Sequence, residues 1–331
     1  MKLKVLVTGG NGFIGSHVVR RLESAGHPVR VLAQDGTSLE PLDGLEAEVV
    51  RGDLMVPPSL ESAVDGVEVI FHLAALARDY GPAQDFLRVN LGGTQAIIDA
   101  AVAAGVRRVV LVSSVAVHRL DKGGIPDGHE DLPRNNLSMP YALSKIRAED
   151  ALLKAHTRDR IEGVIVRPGL FPFGPQDRTS FLPLVQNLGA YRHVSGGLAV
   201  ICYSYVENLA HGIALAGETS EAAGGTYVIS DGVKITWKAM MDRICDALGV
   251  PLIRRSVPFP LAWTAAALVE SASRLLEHPP LLTRYRVKVA GRDCYFGYER
   301  ARRDLRYEPE VTLDEGLRRT VEWLRKELKK T

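Results

Sequence analysis

A single turn near the N-terminus does most to limit the folds open to this 331-residue chain. The apolar run Val5-Leu6-Val7 leads into Thr8-Gly9-Gly10-Asn11-Gly12-Phe13-Ile14-Gly15, and a periodic stretch from Phe13 to Leu22 follows. The glycines therefore fall where a short buried strand hands over to a helix, which is the context a phosphate-binding turn requires. Gly9 allows the tight turn, Gly12 lets backbone approach a pyrophosphate closely, and Gly15 lets the helix pack tightly on the strand. The helix start at Phe13 and Ile14 offers unpaired N–H groups to the phosphates.

Strand and helix continue to alternate to about residue 170, with apolar strands expected at Val29 to Leu32, Val67 to Leu73, Val109 to Val112 and Gly163 to Val166. That alternation predicts an α/β chain: a doubly wound parallel sheet of the Rossmann type over residues 1–170, to which residues 200–230 return. The Pro- and Gly-rich stretch from Pro168 to Pro175 marks departure into a smaller substrate lobe, built from residues 171–199 and 231–331 with the C-terminal helices. In such a sheet, sites form beyond the carboxyl ends of the strands. The glycine turn, Ser114 and Arg167-Pro168-Gly169 are all expected there.

A second pattern names the chemistry. Tyr141 and Lys145, in Pro140-Tyr141-Ala142-Leu143-Ser144-Lys145, are one helical turn apart and share a face of a helix expected to begin near Pro140. A free phenol has a pKa of roughly 10, too high for a base near neutrality. An adjacent ammonium together with an oxidised nicotinamide favours the phenolate. Tyr141 then takes the hydroxyl proton of an alcohol while hydride leaves the same carbon, and in reverse it protonates a ketone.

These motifs resemble those of the extended short-chain dehydrogenase/reductase family, in the spacing Gly-x-x-Gly-x-x-Gly and along nearly the whole chain. The resemblance implies that Ser114, ending Leu111-Val112-Ser113-Ser114, orients the reacting oxygen, and that Lys145 also reaches the nicotinamide ribose. It further implies that Asp53 and Leu54 in Arg51-Gly52-Asp53-Leu54 flank the adenine, with a turn role open for Asp53. Leu73, Ala74 and Ala75 in Phe71-His72-Leu73-Ala74-Ala75 line the cofactor, as does Pro168, and Asn90 stands in the Asn-x-x-Gly-Thr-like helix, with a capping role open. Relatives often carry Tyr-Gly where this chain has His118-Arg119, so His118 either lines the pocket or is a loop histidine.

The cofactor expected is NAD, with NADP left open. Ala33 stands where NAD users of the family commonly carry Asp and Gln34 where many NADP users carry Arg, while Asp35 follows one residue later and can swing toward the ribose. No Lys or Arg occurs between Arg30 and Arg51, so nothing local meets a 2′-phosphate.

Three later segments narrow the resemblance. Ser204 to Ala210 is similar to the segment that returns many extended members to the sheet. Gly225 to Asp231 with Trp237, and Ala301-x-x-x-Leu305-x-Tyr307-x-Pro309, look like stretches of 3β-hydroxysteroid dehydrogenases and sterol-4α-carboxylate 3-dehydrogenases. This implies oxidation of a 3β-hydroxyl on a sterol-like substrate, with decarboxylation of a 4-carboxylate open. A β-keto lipid acid reductase and a nucleotide-sugar epimerase or dehydratase are the alternatives on the same scaffold. The low charge of residues 163–173 and 182–188 fits a small apolar substrate. The apolar stretch Val257 to Leu276, interrupted by Glu270 and Arg274, reads as a core helix of the small lobe or as a peripheral membrane contact.

Composition excludes other classes. A net charge of +2 with no basic run argues against nucleic acid. Cys202, Cys245 and Cys294 are few and widely spaced, so neither a disulfide framework nor a metal site is expected, and a reducing, cytoplasmic setting fits. The chain opens directly on its first strand, so no secretory leader is expected. Relatives commonly dimerise through helices like those containing Tyr141 and Asn90 to Ala104, and the small face Ala96, Ala100, Ala103 and Ala104 permits either close helix packing in a homodimer or packing on the sheet.

Overall fold

The computed structural model describes residues 2–276, 279, 280 and 282–329. Seven parallel strands form the main sheet: β1 (Val5–Thr8), β2 (Val29–Ala33), β3 (Glu48–Arg51), β4 (Val69–His72), β5 (Arg108–Val112), β6 (Glu162–Pro168) and β7 (Thr226–Ile229), in the spatial order β7-β6-β5-β4-β1-β2-β3. Because β1 pairs with both β2 and β4, the direction of winding reverses at its end, and a crevice opens there. Val, Ile and Leu fill β1, β4, β5 and β6 because these strands are covered on both faces.

Eight helices carry the site and its supports: α1 (Phe13–Ser24), α2 (Gly93–Ala103), α3 (Pro140–His156), α4 (Val206–Glu218), α5 (Trp237–Leu248), α6 (Phe259–Leu276), α7 (Arg284–Gly291) and α8 (Leu313–Glu327). Val18, Val19 and Leu22 of α1 and Leu209 and Ile213 of α4 pack on one face of the sheet, and Ile97 and Ile98 of α2 and Ala148 and Leu152 of α3 on the other. Of the small face on α2, Ala96 and Ala100 pack against that second core, while Ala103 and Ala104 are exposed.

The small lobe has its own core, rich in rings: Phe173, Phe181, Tyr203, Tyr205 and Trp237. Its strands 125–128, 294–296, 200–201 and 235–236 form a separate four-stranded sheet. Tyr203–Tyr205 pairs with Phe171–Phe173 rather than with the main sheet, and β7 is the segment that returns. Ala301, Leu305 and Tyr307 of the C-terminal motif sit in the core beside β7, with Ile229, so these motif residues report packing and not substrate contact. In α6, Ala262 and Ala266 are buried against Val194 and Val287, whereas Leu261 and Leu268 on the other face are 63% and 68% exposed. Among the described residues, no helix is long and apolar enough to cross a membrane.

Candidate active site

Gly9 turns the chain out of β1 at φ +69°, and a Cβ there would stand 2.8 Å from the Ala74 nitrogen. At Gly15 a Cβ would lie 2.0 Å from the Gly9 carbonyl oxygen. No side chain caps α1, so the N–H groups at Phe13 and Ile14 face the turn without an intrahelical partner. A bare, positively polarised helix start over a floor with no Cβ atoms fits a dinucleotide pyrophosphate. Leu73, Ala74 and Ala75 follow the end of β4 and flank this turn, with the Ala74 N–H donating to Thr8 Oγ1 at 3.3 Å.

Behind that wall runs a buried polar chain that the sequence does not disclose. Thr8 Oγ1 and His72 Nδ1 are 2.8 Å apart, His72 Nε2 and Thr94 Oγ1 are 3.1 Å apart, and the Thr94 hydroxyl donates to the Asn90 carbonyl at 2.6 Å. Burial, with Lys145 adding to it, pushes His72 down to about 3, so the ring is neutral. Asn90 Oδ1 accepts the Leu76 N–H at 2.7 Å, while Nδ2 donates to Ser144 Oγ at 2.8 Å, and Ser144 Oγ donates to the Tyr141 carbonyl at 2.7 Å. Asn90 thus supports the cofactor wall from behind and ties it to α3, instead of presenting its amide to the cleft. Its carboxamide is already engaged.

At the adenosine end, Asp53 Oδ1 accepts the Met55 N–H at 2.8 Å, which makes it a turn residue, while Oδ2 has no partner among the described residues. Leu54 is buried in the core beneath α2. Asp35 is exposed past the end of β2. Strand pairing brings to the end of β2 one cation that the local sequence does not supply. Ala33 faces Arg51 across β2 and β3, and Arg51 Nη1 donates to the Gln34 carbonyl at 2.7 Å. Sequence distance concealed this neighbour.

Ser114 follows β5 and its hydroxyl accepts the Ala116 N–H at 3.1 Å. It also hydrogen-bonds Tyr141. Desolvation pushes the Tyr141 phenol up to about 12, and the bond to Ser114 opposes the shift only in part. The chain's own groups therefore hold Tyr141 protonated, which leaves the expected acidification to need the oxidised nicotinamide as well as Lys145. Lys145 donates to the Val112 carbonyl at 2.9 Å, and burial pushes its ammonium down to about 8, with the Glu149 charge acting against that shift.

Pro168 ends β6 and Gly169 continues the pairing with Ile229, so Arg167 lies inside the strand and not beyond it. Its guanidinium donates to Glu149 at 2.9 and 2.7 Å, a buried bidentate pair. Glu149 is one turn past Lys145 on the same face of α3. His118 is a loop histidine and does not line the cavity described below. It is buried, stacks on Phe296 at 5.2 Å, and its Nε2 accepts from Arg167 Nη1 at 3.2 Å. Burial first, then the Arg167 charge, pushes it down to about 4.

A cavity of about 1000 Å³ opens beside Met139 and Pro140, the residues before Tyr141. Its walls are Leu120, Trp263 and Tyr285 with the charged residues Arg78, Asp79, Glu270, Arg284 and Lys288. Neither low-charge segment, 163–173 nor 182–188, contributes a lining residue. The turn Arg78-Asp79-Tyr80-Gly81-Pro82 after β4 was the available sequence signal for this wall. Cys202, Cys245 and Cys294 are free and buried.

The fold and the Ser114, Tyr141, Lys145 set define a nicotinamide-dependent oxidoreductase scaffold. The sequence profile of the NAD dependent epimerase/dehydratase family matches residues 5–230. The chain belongs to that family, the extended short-chain dehydrogenases/reductases, and its cofactor is NAD. It is 32% identical to the 2-alkyl-3-oxoalkanoate reductase of Stenotrophomonas maltophilia over 96% of this chain and 98% of that one. It is 31% identical to the mouse decarboxylating sterol-4-alpha-carboxylate 3-dehydrogenase, over 96% and 90%. The solved dTDP-glucose 4,6-dehydratase DesIV of Streptomyces venezuelae, with NAD bound, superposes at a TM-score of 0.76 and 27% identity, covering 98% of this chain and 97% of that one.

NAD supplies a nicotinamide that takes or returns hydride. On the proposed path the chain's own residues would handle the proton: Ser114 would hold the reacting oxygen against Tyr141, and the phenol would give or take the proton. Ketone reduction needs a protonated Tyr141 and a charged Lys145. The ammonium is present below about pH 8 and lost above it. Reduction by NADH is expected to be level up to about pH 8 and to decline beyond, measured as kcat from about pH 6 to about pH 10. A rate that climbs through that range would remove the ammonium from the mechanism.

Proposed function

We propose that the protein interconverts a secondary alcohol and a ketone on a lipid-like substrate, in the manner of a 3β-hydroxysteroid or sterol-4-carboxylate dehydrogenase. The observation that carries this reading is the cavity beside Pro140, whose volume and the walls Leu120, Met139, Trp263 and Tyr285 suit a multi-ring or long-chain body. Tyr141 directly follows the lining residue Pro140 and would handle the oxygen with Ser114. Relatives named for sterol and 3-oxoalkanoate chemistry support the same substrate class.

A second reading, reduction of a 2-alkyl-3-oxo acid, is favoured by the cations in that wall. Both share one chemical step at the carbon bearing oxygen. The deciding experiment follows absorbance of NADH with 3β-hydroxysterols, with and without a 4-carboxylate, in the forward direction and 2-alkyl-3-oxo acids in reverse. Signal with a sterol is the expected result. Silence with sterols and signal with the oxo acids transfers the assignment to the second reading, and tight retention of NAD without net turnover of either points to the epimerase alternative.

A further inference from the structure

Catalysis leaves part of the cavity's charge without a task. Two acids line it, and both are engaged: Asp79 accepts from Thr283 Oγ1 at 2.6 Å and Arg286 Nε at 2.9 Å, and Glu270 accepts from Arg284 Nε at 2.7 Å. Arg78 and Lys288 remain, with no carboxylate within hydrogen-bond distance among the described residues. The nearest acid to Arg78 is Asp85, at 3.9 Å. Lys288 rests over the Trp263 ring at 5.7 Å, and its ammonium is pushed down by burial and by the charges of Arg292 and Arg119. The field on this side of the cavity is positive.

Arg78 is also held in place. Its guanidinium carbon lies 5.4 Å from the centre of the Tyr80 ring and 5.7 Å from that of Phe86, and its Nε is buried without a hydrogen-bond partner. Two rings fix the plane of the fork and remove the entropy that an extended arginine ordinarily loses on binding. Phe86 in turn meets the Tyr141 ring edge-on at 6.4 Å. One aromatic ring therefore separates an arginine fork with open donors from the reacting tyrosine. A planar fork with two parallel N–H groups matches a carboxylate.

We propose that Arg78 anchors a carboxylate on the substrate, so that the ligands of this cavity are hydroxy and oxo acids with an apolar body. This rests on the lipid oxidoreductase reading above and selects within it. Asp85 offsets the arginine only loosely, so the site does not close on itself in the absence of an acid.

The test is calorimetric titration of the NADH-saturated protein, which cannot oxidise an alcohol, with two matched pairs: a 2-alkyl-3-hydroxyalkanoate and its methyl ester, and a 3β-hydroxysterol-4-carboxylate and its methyl ester. The wild-type protein is expected to bind at least one acid about 30-fold more tightly than its ester. Arg78→Met is expected to abolish that preference, and Arg78→Lys, which keeps the charge and loses the fork, to keep a fraction of it. A merely structural arginine would shift acid and ester together. Equal affinity of acid and ester, retention of the preference in Arg78→Met, or no binding of either acid each overturns the proposal. Turnover is read separately. Binding of an acid that depends on Arg78 without oxidation of it sinks the functional reading and leaves the anchor standing, while oxidation with an unchanged KM in Arg78→Met does the reverse.

Discussion

Tyr141→Phe is expected to lower kcat by about 10³-fold in both directions while NAD affinity stays within about threefold. The substitution removes one oxygen and keeps the ring that meets Phe86 edge-on, so the local packing survives. It takes away the hydroxyl proposed to carry the proton, beside Ser114. Ser114 is a poor substitute, because its hydroxyl already accepts the Ala116 N–H and has no neighbouring base of its own. Stopped-flow measurement of the hydride step, alongside NAD titration, separates loss of chemistry from loss of binding. Retention of more than about a tenth of wild-type turnover would show that another group moves the proton.

The second large effect is on stability. Arg167→Met is expected to cost about 3 kcal/mol at neutral pH, since removing one partner of a buried ion pair leaves the other charge uncompensated. Glu149 is fully buried, and burial works against its charge, yet the hydrogen bonds and charge of Arg167 hold its carboxyl below the ordinary range. Arg134, 3.2 Å away and partly exposed, supplies only partial replacement. The pH dependence carries the sign. With its folded pKa depressed, Glu149 stabilises the wild-type protein above its unfolded pKa, and that contribution is lost as pH falls through the folded value. In the variant burial prevails, the folded pKa rises above the unfolded one, and stability falls as pH rises. The gap between the two proteins is therefore expected to narrow from pH 7.5 to about pH 5.5 in urea denaturation. A gap independent of pH would mean that Arg167 acts through packing alone.

The parts of the site that were legible in the sequence are those in which function is written locally. The strand, glycine turn and helix at residues 5–22 require particular residues at fixed offsets, because tight backbone approach tolerates no Cβ at Gly9 or Gly15. Tyr141 and Lys145 are readable because a helical turn converts a spacing of four into a shared face. Other residues owe their placement to strand order. Arg51 reaches Gln34 only because β3 pairs with β2, and His118 meets Arg167 only because β6 carries the arginine past it.

The C-terminal motif shows the converse. Ala301, Leu305 and Tyr307 are recognisable in sequence, yet they fill a core beside β7, so likeness there speaks of fold and not of substrate. What the chain determined by itself was the alternating strand and helix order, the glycine turn and the shared face of Tyr141 and Lys145, because each depends on neighbours within a few residues. Tertiary structure decided the rest. It set the neutral state of His72 and the raised pKa of Tyr141 by desolvation. It also paired Glu149 with Arg167 and gathered Arg78, Trp263, Tyr285 and Lys288 around one cavity, since burial and long-range contact exist only once the sheet and the small lobe have closed on each other.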